Sequence, residues 1–362
     1  MRIAFFGSSL VSAYWNGAAT YYRGLLRALA ARGHSVAFYE PDAFDRQANR
    51  DIPDPAWAEV VVWRPERDAD LERCLAAARH ADLVVKASGV GVRDAELERR
   101  VLDLCRPGCR VAFWDVDAPA TLERVAHDPS DAFRSLVPRY DFIFTYGGGR
   151  PVVEAYLALG ARSCTPIYNA LDPETHHPVA AQPRFACDLA FLANRLPDRE
   201  ARVHEFFLSA ARRLPRRSFL LGGAGWGDVE LPPNVRWIGH VPTADHNALN
   251  CSGRAVLNVN RDSMARFGFS PPTRVFEAAG AGACLVTDAW AGLALFLEPG
   301  REVLVARSGE EVAEHLAALG SDRARRIGEA ARRRVLAEHT YAHRALEVEA
   351  ALGAGRVARG IA

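Results

Sequence analysis

Short apolar runs recur along this chain, each closed by a Gly-rich or polar turn and followed by a stretch of helical spacing. Residues 2–6, 35–39, 81–86, 110–114, 140–145 and 164–167 read as buried strands in the first half. Residues 187–193, 217–221, 235–238, 255–260 and 284–287 read the same way in the second. Between them lie helical patterns such as 18–32, 94–104, 152–159 and 273–279. Strands that alternate with helices build parallel, doubly wound α/β sheets. At 362 residues the chain exceeds one comfortable core, so two such domains are expected. In sheets of this kind ligands sit beyond the carboxyl ends of the strands. Candidate site residues are therefore sought there.

Composition narrows the chemistry. A net charge of +1 gives no electrostatic case for nucleic acid or an anionic membrane. Lys86 is the sole lysine, so any phosphate clamp in the second half must use arginine, which binds bidentately and stays protonated. A pyridoxal phosphate enzyme needs a Schiff-base lysine, and Lys86 lies in the wrong half. The seven cysteines are scattered and odd in number, without zinc-knuckle spacing, which suggests reduced thiols in a cytoplasmic protein. The first residues read as a strand rather than a signal peptide, and no run reaches membrane-spanning length. The expectation is a soluble protein with no metal site and no bound cofactor.

The most informative stretch is 267–288. Ser270 stands where an N-cap belongs, Pro271 suits the first helical position, and 273–279 follows as a short helix stopped by Gly280 and Gly282. The opening amides of Thr273 and Arg274, with the positive end of the helix dipole, suit a diphosphate. Glu277, one turn further, is placed to accept hydrogen bonds from paired hydroxyls. The competing reading is a capped core helix with Glu277 in solvent. Asp115 and Asp117 close the 110–114 strand, and Asp117 is the first catalytic candidate, against an Asx-turn or cap before Thr121. His127, taken as a loop histidine, is the second. Gly17, in the loop after the first strand, allows close backbone approach to a ligand or merely turns the chain. Arg261 and Arg274 are further anion candidates. His176 and His177 form an adjacent pair with no third ligand nearby, and read as part of a linker.

The segment 267–306, with 113–121, resembles group 1 glycosyltransferases, nearest to the CgeB-like (spore-maturation type) branch. The opening strand–loop–helix–strand of residues 1–39 is similar to that of GT-B enzymes, and 169–178 resembles their interdomain linker. The resemblance implies a GT-B architecture of two Rossmann-like doubly wound domains facing across a cleft. Residues 1–175 would form the acceptor side, 176–340 the nucleotide-sugar side, and 341–362 a helix returning to the first domain. It implies that Glu277 holds the nucleotide ribose. Arg195 and Arg199 would neutralise the donor diphosphate, unless they only form surface ion pairs, and 239–242 would pack on the base. Phe269 stands where many relatives carry a second Glu that contacts the sugar, which leaves the sugar and the stereochemistry open. The implied function is transfer of a sugar from a nucleotide-diphosphate donor to a hydroxyl-bearing acceptor (glycan, protein or small molecule), metal-independent and retaining. The alternatives are a sugar-nucleotide epimerase or hydrolase on the same fold, and a silent nucleotide-sugar-binding scaffold.

Overall fold

The computed structural model describes residues 1–359 apart from Trp15 and Cys105, with side chains to residue 353. The chain divides into two compact units, Met1–Asn169 with Tyr341–Ala362, and Ala170–Thr340. The first holds β1 (Arg2–Phe6), β2 (Ser35–Pro41), β3 (Ala58–Trp63), β4 (Leu83–Ala87), β5 (Arg110–Asp115), β6 (Phe142–Thr145) and β7 (Cys164–Pro166). These form one parallel sheet in the order β3-β2-β1-β4-β5-β6-β7. The second unit holds β8 (Cys187–Leu192), β9 (Phe219–Gly222), β10 (Val235–Trp237), β11 (Gly253–Asn258), β12 (Leu285–Asp288) and β13 (Leu304–Ala306). Its sheet, also parallel, runs β10-β9-β8-β11-β12-β13. Both orders reverse direction beside the first strand of the unit, the doubly wound α/β arrangement expected from the alternation.

The strands are apolar because both faces are covered. All six residues of β5 and all five of β4 are buried. In the first unit Phe5 stacks on Phe38 with ring centroids 5.4 Å apart, and Trp114 packs on Phe144 at 4.6 Å. The last helix, Tyr341–Arg359, joins this unit. It can dock because Gly24, in the helix Ala18–Ala31, carries no side chain: a Cβ there would lie 2.1 Å from the Tyr341 ring. In the second unit Phe207 packs between Phe191 and Phe219 at 5.5 and 5.6 Å. Gly223, just past β9, has φ +116°, and a Cβ on it would sit 2.1 Å from the Ala193 carbonyl oxygen. Only glycine lets the loops after β8 and β9 approach this closely.

The structure shifts several local readings. The 273–280 helix starts at Thr273 with Pro272, not Ser270, in the N-cap position. The two prolines are the reason: Pro272 is held extended (ψ 153°), so Ser270 falls short of the helix amides. Its hydroxyl donates instead to the Gly268 carbonyl, 3.0 Å away. His127 is not in a loop but closes the helix Ala118–His127. Strand β3 and the short helix Asp262–Phe267 were not legible in the pattern. Among the described residues no helix is long and apolar enough to cross a membrane.

Candidate functional site

The carboxyl edge of the second sheet collects charge. Past β8 the chain enters Asn194 and Arg195, then the helix Pro197–Val203 with Arg199. Past β11 come Asn260 and Arg261, and β12 ends in Asp288. The helix Thr273–Gly280 carries Arg274 and Glu277. A parallel sheet puts all these ends on one side, which is why residues far apart in sequence share one neighbourhood.

Glu277 does not face solvent as a mere capped-helix residue would; it is 7% exposed. Its Oε2 lies 3.1 Å from Arg274 Nη1 and its Oε1 lies 3.9 Å from His176 Nε2. Burial by itself raises its carboxyl, but Arg274, His176, His246 and a Thr273 hydrogen bond outweigh it and bring the group down to about 2. The carboxylate is therefore a standing acceptor. His246, nearby, is pushed down to about 4, chiefly by burial and then by Arg274, so its ring is neutral near pH 7. Glu277 Oε2, both His176 ring nitrogens, His246 Nδ1 and Arg274 Nη1 are buried without an aligned hydrogen-bond partner. Glu277 Oε2 and Arg274 Nη1 face each other as an ion pair, but a buried ring such as His176 with no hydrogen bond at all is costly.

The four arginines are not equivalent. Arg195 is spent: Nη1 reaches Asp228 at 2.8 Å and Nη2 reaches Glu200 at 2.7 Å. Arg261 Nε pairs with Asp198 at 2.5 Å. Arg199 is half-buried, donates from Nη2 to the Asn194 carbonyl at 2.7 Å, and keeps Nε without a partner. Burial lowers its guanidinium to about 10 against the pull of Asp198, and Arg261 and Arg274 add to the lowering by like-charge repulsion. Cations that crowd each other are stabilised by an anion between them. Arg274 donates from Nη2 to the Leu192 carbonyl at 3.3 Å, which ties it to the end of β8. Beneath them Asp288 accepts from Arg202 at 2.6 Å and from the Asn260 amide at 3.1 Å, fixing the turn after β11. Both side-chain amide atoms of Asn260 are buried without partners.

In the first unit the edge is built differently. Asp115 is fully buried and saturated: it accepts from Tyr156 at 2.5 Å, Ser88 at 2.7 Å, the Asp117 amide at 3.0 Å and Thr121 at 3.1 Å. It shapes the turn in which Asp117 stands as N-cap residue of Ala118–His127. Asp117 itself is partly exposed at the sheet edge. His127 is on the outside of that helix, its Nδ1 bonded to the Glu123 carbonyl at 2.8 Å. The two catalytic candidates thus sit at opposite ends of one helix, and the structure does not bring them together. Gly17 has an ordinary φ of −63°, and a Cβ on it would meet no atom within 4 Å, so the fold itself does not demand glycine there.

Residues 199–350 match a family model described as glycosyl transferase-like. Solved structures align along nearly the whole chain and show the same α/β GT-B fold at low identity. Sucrose-phosphate synthase from Thermosynechococcus elongatus is 16% identical, with TM-score 0.69, covering 100% of this chain and 99% of its own. Anabaena Alr3699/HepE in complex with UDP and glucose is 14% identical, with TM-score 0.67, covering 98% and 100%. An alpha-glucosyltransferase in complex with UDP and a 13-mer DNA is 12% identical, with TM-score 0.71, covering 98% and 99%. No curated protein sequence matches the chain. Within the second unit, the sequence pointed to Glu277, Arg274, Arg199 and Arg261. It missed His246 and Asn260 and left His176 as linker. The signal for His176 was faint: it is one of an adjacent pair between Thr175 and Pro178, and its burial follows only from the chain folding back on Gly280.

Proposed function

We propose that the protein is a glycosyltransferase that takes a sugar from a nucleotide-diphosphate donor bound at the carboxyl edge of the second sheet. One observation carries the reading: a buried, ionised Glu277, paired with Arg274 at 3.1 Å, stands one turn inside a helix whose start is crowded by Arg199, Arg261 and Arg274. Glu277 accepts from ribose hydroxyls. Arg199 and Arg274, with the Thr273 and Arg274 amides, take the diphosphate; Arg261 supports them, and Arg195 orders the loop through Asp228 and Glu200. Their positive charge and the helix dipole stabilise the departing nucleotide, which supports a metal-independent reaction. Asp117 is the proposed acceptor contact or base. Phe269, at φ +49° in the loop before the helix, offers no carboxylate to the sugar, and retention rests on the resemblance alone. Assignment to the CgeB-like branch rests on segments 113–121 and 267–306, and a cytoplasmic location on the composition.

A thermal-shift screen of UDP, GDP, TDP, CDP and ADP with their sugar conjugates, with and without magnesium, tests the reading. At a hundred times its Kd a ligand stabilises by about 2.7 kcal/mol, a plain rise in the midpoint. One base standing out supports the donor site; a flat panel on folded protein overturns it.

A further inference from the structure

We infer that His176 reads a ribose hydroxyl jointly with Glu277, so that the site accepts ribonucleotide donors and discriminates against their deoxy counterparts. The inference rests on the nucleotide-sugar reading above and deepens it. His176 is 4% exposed, yet neither ring nitrogen has a hydrogen-bond partner. Its place is fixed by the backbone: its amide donates to the Asp172 carbonyl at 2.9 Å, and its own carbonyl lies against Gly280, where a Cβ would come within 2.9 Å. The ring is thereby held over the helix that carries Glu277.

His176 Nε2 and Glu277 Oε1 are 3.9 Å apart, too far for a hydrogen bond between them. Two points at that separation can both reach one oxygen at about 2.8 Å. A carboxylate only accepts, whereas an imidazole ring offers an N–H. A ligand hydroxyl suits both, since it donates to the carboxylate and accepts from the ring N–H. The neighbouring hydroxyl of a vicinal diol then donates to Oε2, which lies 3.1 Å from Arg274 Nη1 but accepts no aligned hydrogen bond. Ribose carries such a pair and 2′-deoxyribose does not. A site built to bond a hydroxyl rejects the analogue lacking it, because its own buried groups are then left unpaired.

The test measures binding of UDP, GDP, CDP and ADP, each with its 2′-deoxy and 3′-deoxy forms, to the full chain and to His176→Ala and His176→Gln. The expected result is that the best ribonucleotide binds about tenfold or more tighter than at least one deoxy form, the scale of one charged hydrogen bond. His176→Ala is expected to bring that ratio to within about threefold, and His176→Gln, which keeps a donor, to retain most of it. If His176→Ala weakens ribo and deoxy forms alike, the histidine is only structural and the inference fails. It fails too if the wild-type protein binds ribo and both deoxy forms equally, while the donor site stands. If no nucleotide binds the folded wild-type protein, the donor-site reading itself is overturned.

Discussion

The carboxyl edges of the two sheets use acidic residues in opposite ways. In the first unit Asp115 is wholly buried and every oxygen is engaged by Tyr156, Ser88, Thr121 or the Asp117 amide. In the second, Glu277 is also buried, but its Oε2 has only an unaligned contact with Arg274 at 3.1 Å, and the His176 ring beside it has no hydrogen bond. A saturated carboxylate stabilises the fold. One whose hydrogen-bonding capacity is not filled leaves room for a ligand to complete it. The contrast sets these two carboxylates apart.

The largest expected effect tests the scaffold side. Asp115→Ala leaves the Tyr156 hydroxyl, two further hydroxyls and an amide without their acceptor, and should cost about 3 kcal/mol or more in denaturant unfolding. Nucleotide affinity of the protein that remains folded should change little. A mild stability effect would erase the distinction between the two edges.

Acid unfolding sharpens it. Glu277 is depressed from 4.5 in the unfolded chain to about 2, so its stabilisation is present above about pH 4.5 and is lost as pH falls toward 2. Glu277→Gln should flatten that part of the stability profile. Asp288 runs the other way: burial raises it against Arg202, so its contribution is present at low pH and fades as pH rises through its folded value. Urea midpoints taken from pH 2 to 6 on Glu277→Gln and Asp288→Asn should depart from the wild-type slope in opposite directions.

On the site side, Glu277→Ala should weaken nucleotide binding by about 1–3 kcal/mol with the unit still folded, the scale of a charged hydrogen bond. Wild-type affinity in the variant, read by calorimetry, would remove Glu277 from the site. The smallest contrast is within the arginines. Arg199→Ala should weaken diphosphate binding more than Arg195→Ala, because Asp228 and Glu200 already neutralise Arg195. Equal losses would mean that the ion pairs of Arg195 open when ligand binds.

Much of this was legible because it depends on local pattern. The strand and helix alternation foretold two parallel sheets, and the loop–helix–strand of 267–288 pointed to Glu277 and Arg274. The Ser270 cap failed for a local reason as well: two consecutive prolines keep the chain extended and delay the helix to Thr273. The division of labour among the arginines was not legible. Arg195 and Arg199 are four residues apart and alike in sequence, but Asp228, which neutralises the first, arrives from the loop after β9.

The sequence by itself determined the periodicities, hence strands, helices and the parallel order that gathers strand ends on one edge, because these follow from side-chain spacing and turn chemistry. Tertiary structure alone decided which polar groups at that edge are satisfied. Hydrogen-bond partners come from distant segments: Tyr156 reaches Asp115 across 41 positions. His176 comes to face Glu277 only because the chain lies flush against Gly280. Pairing is a property of distance in space, and the spacing of residues along the chain carries no record of it.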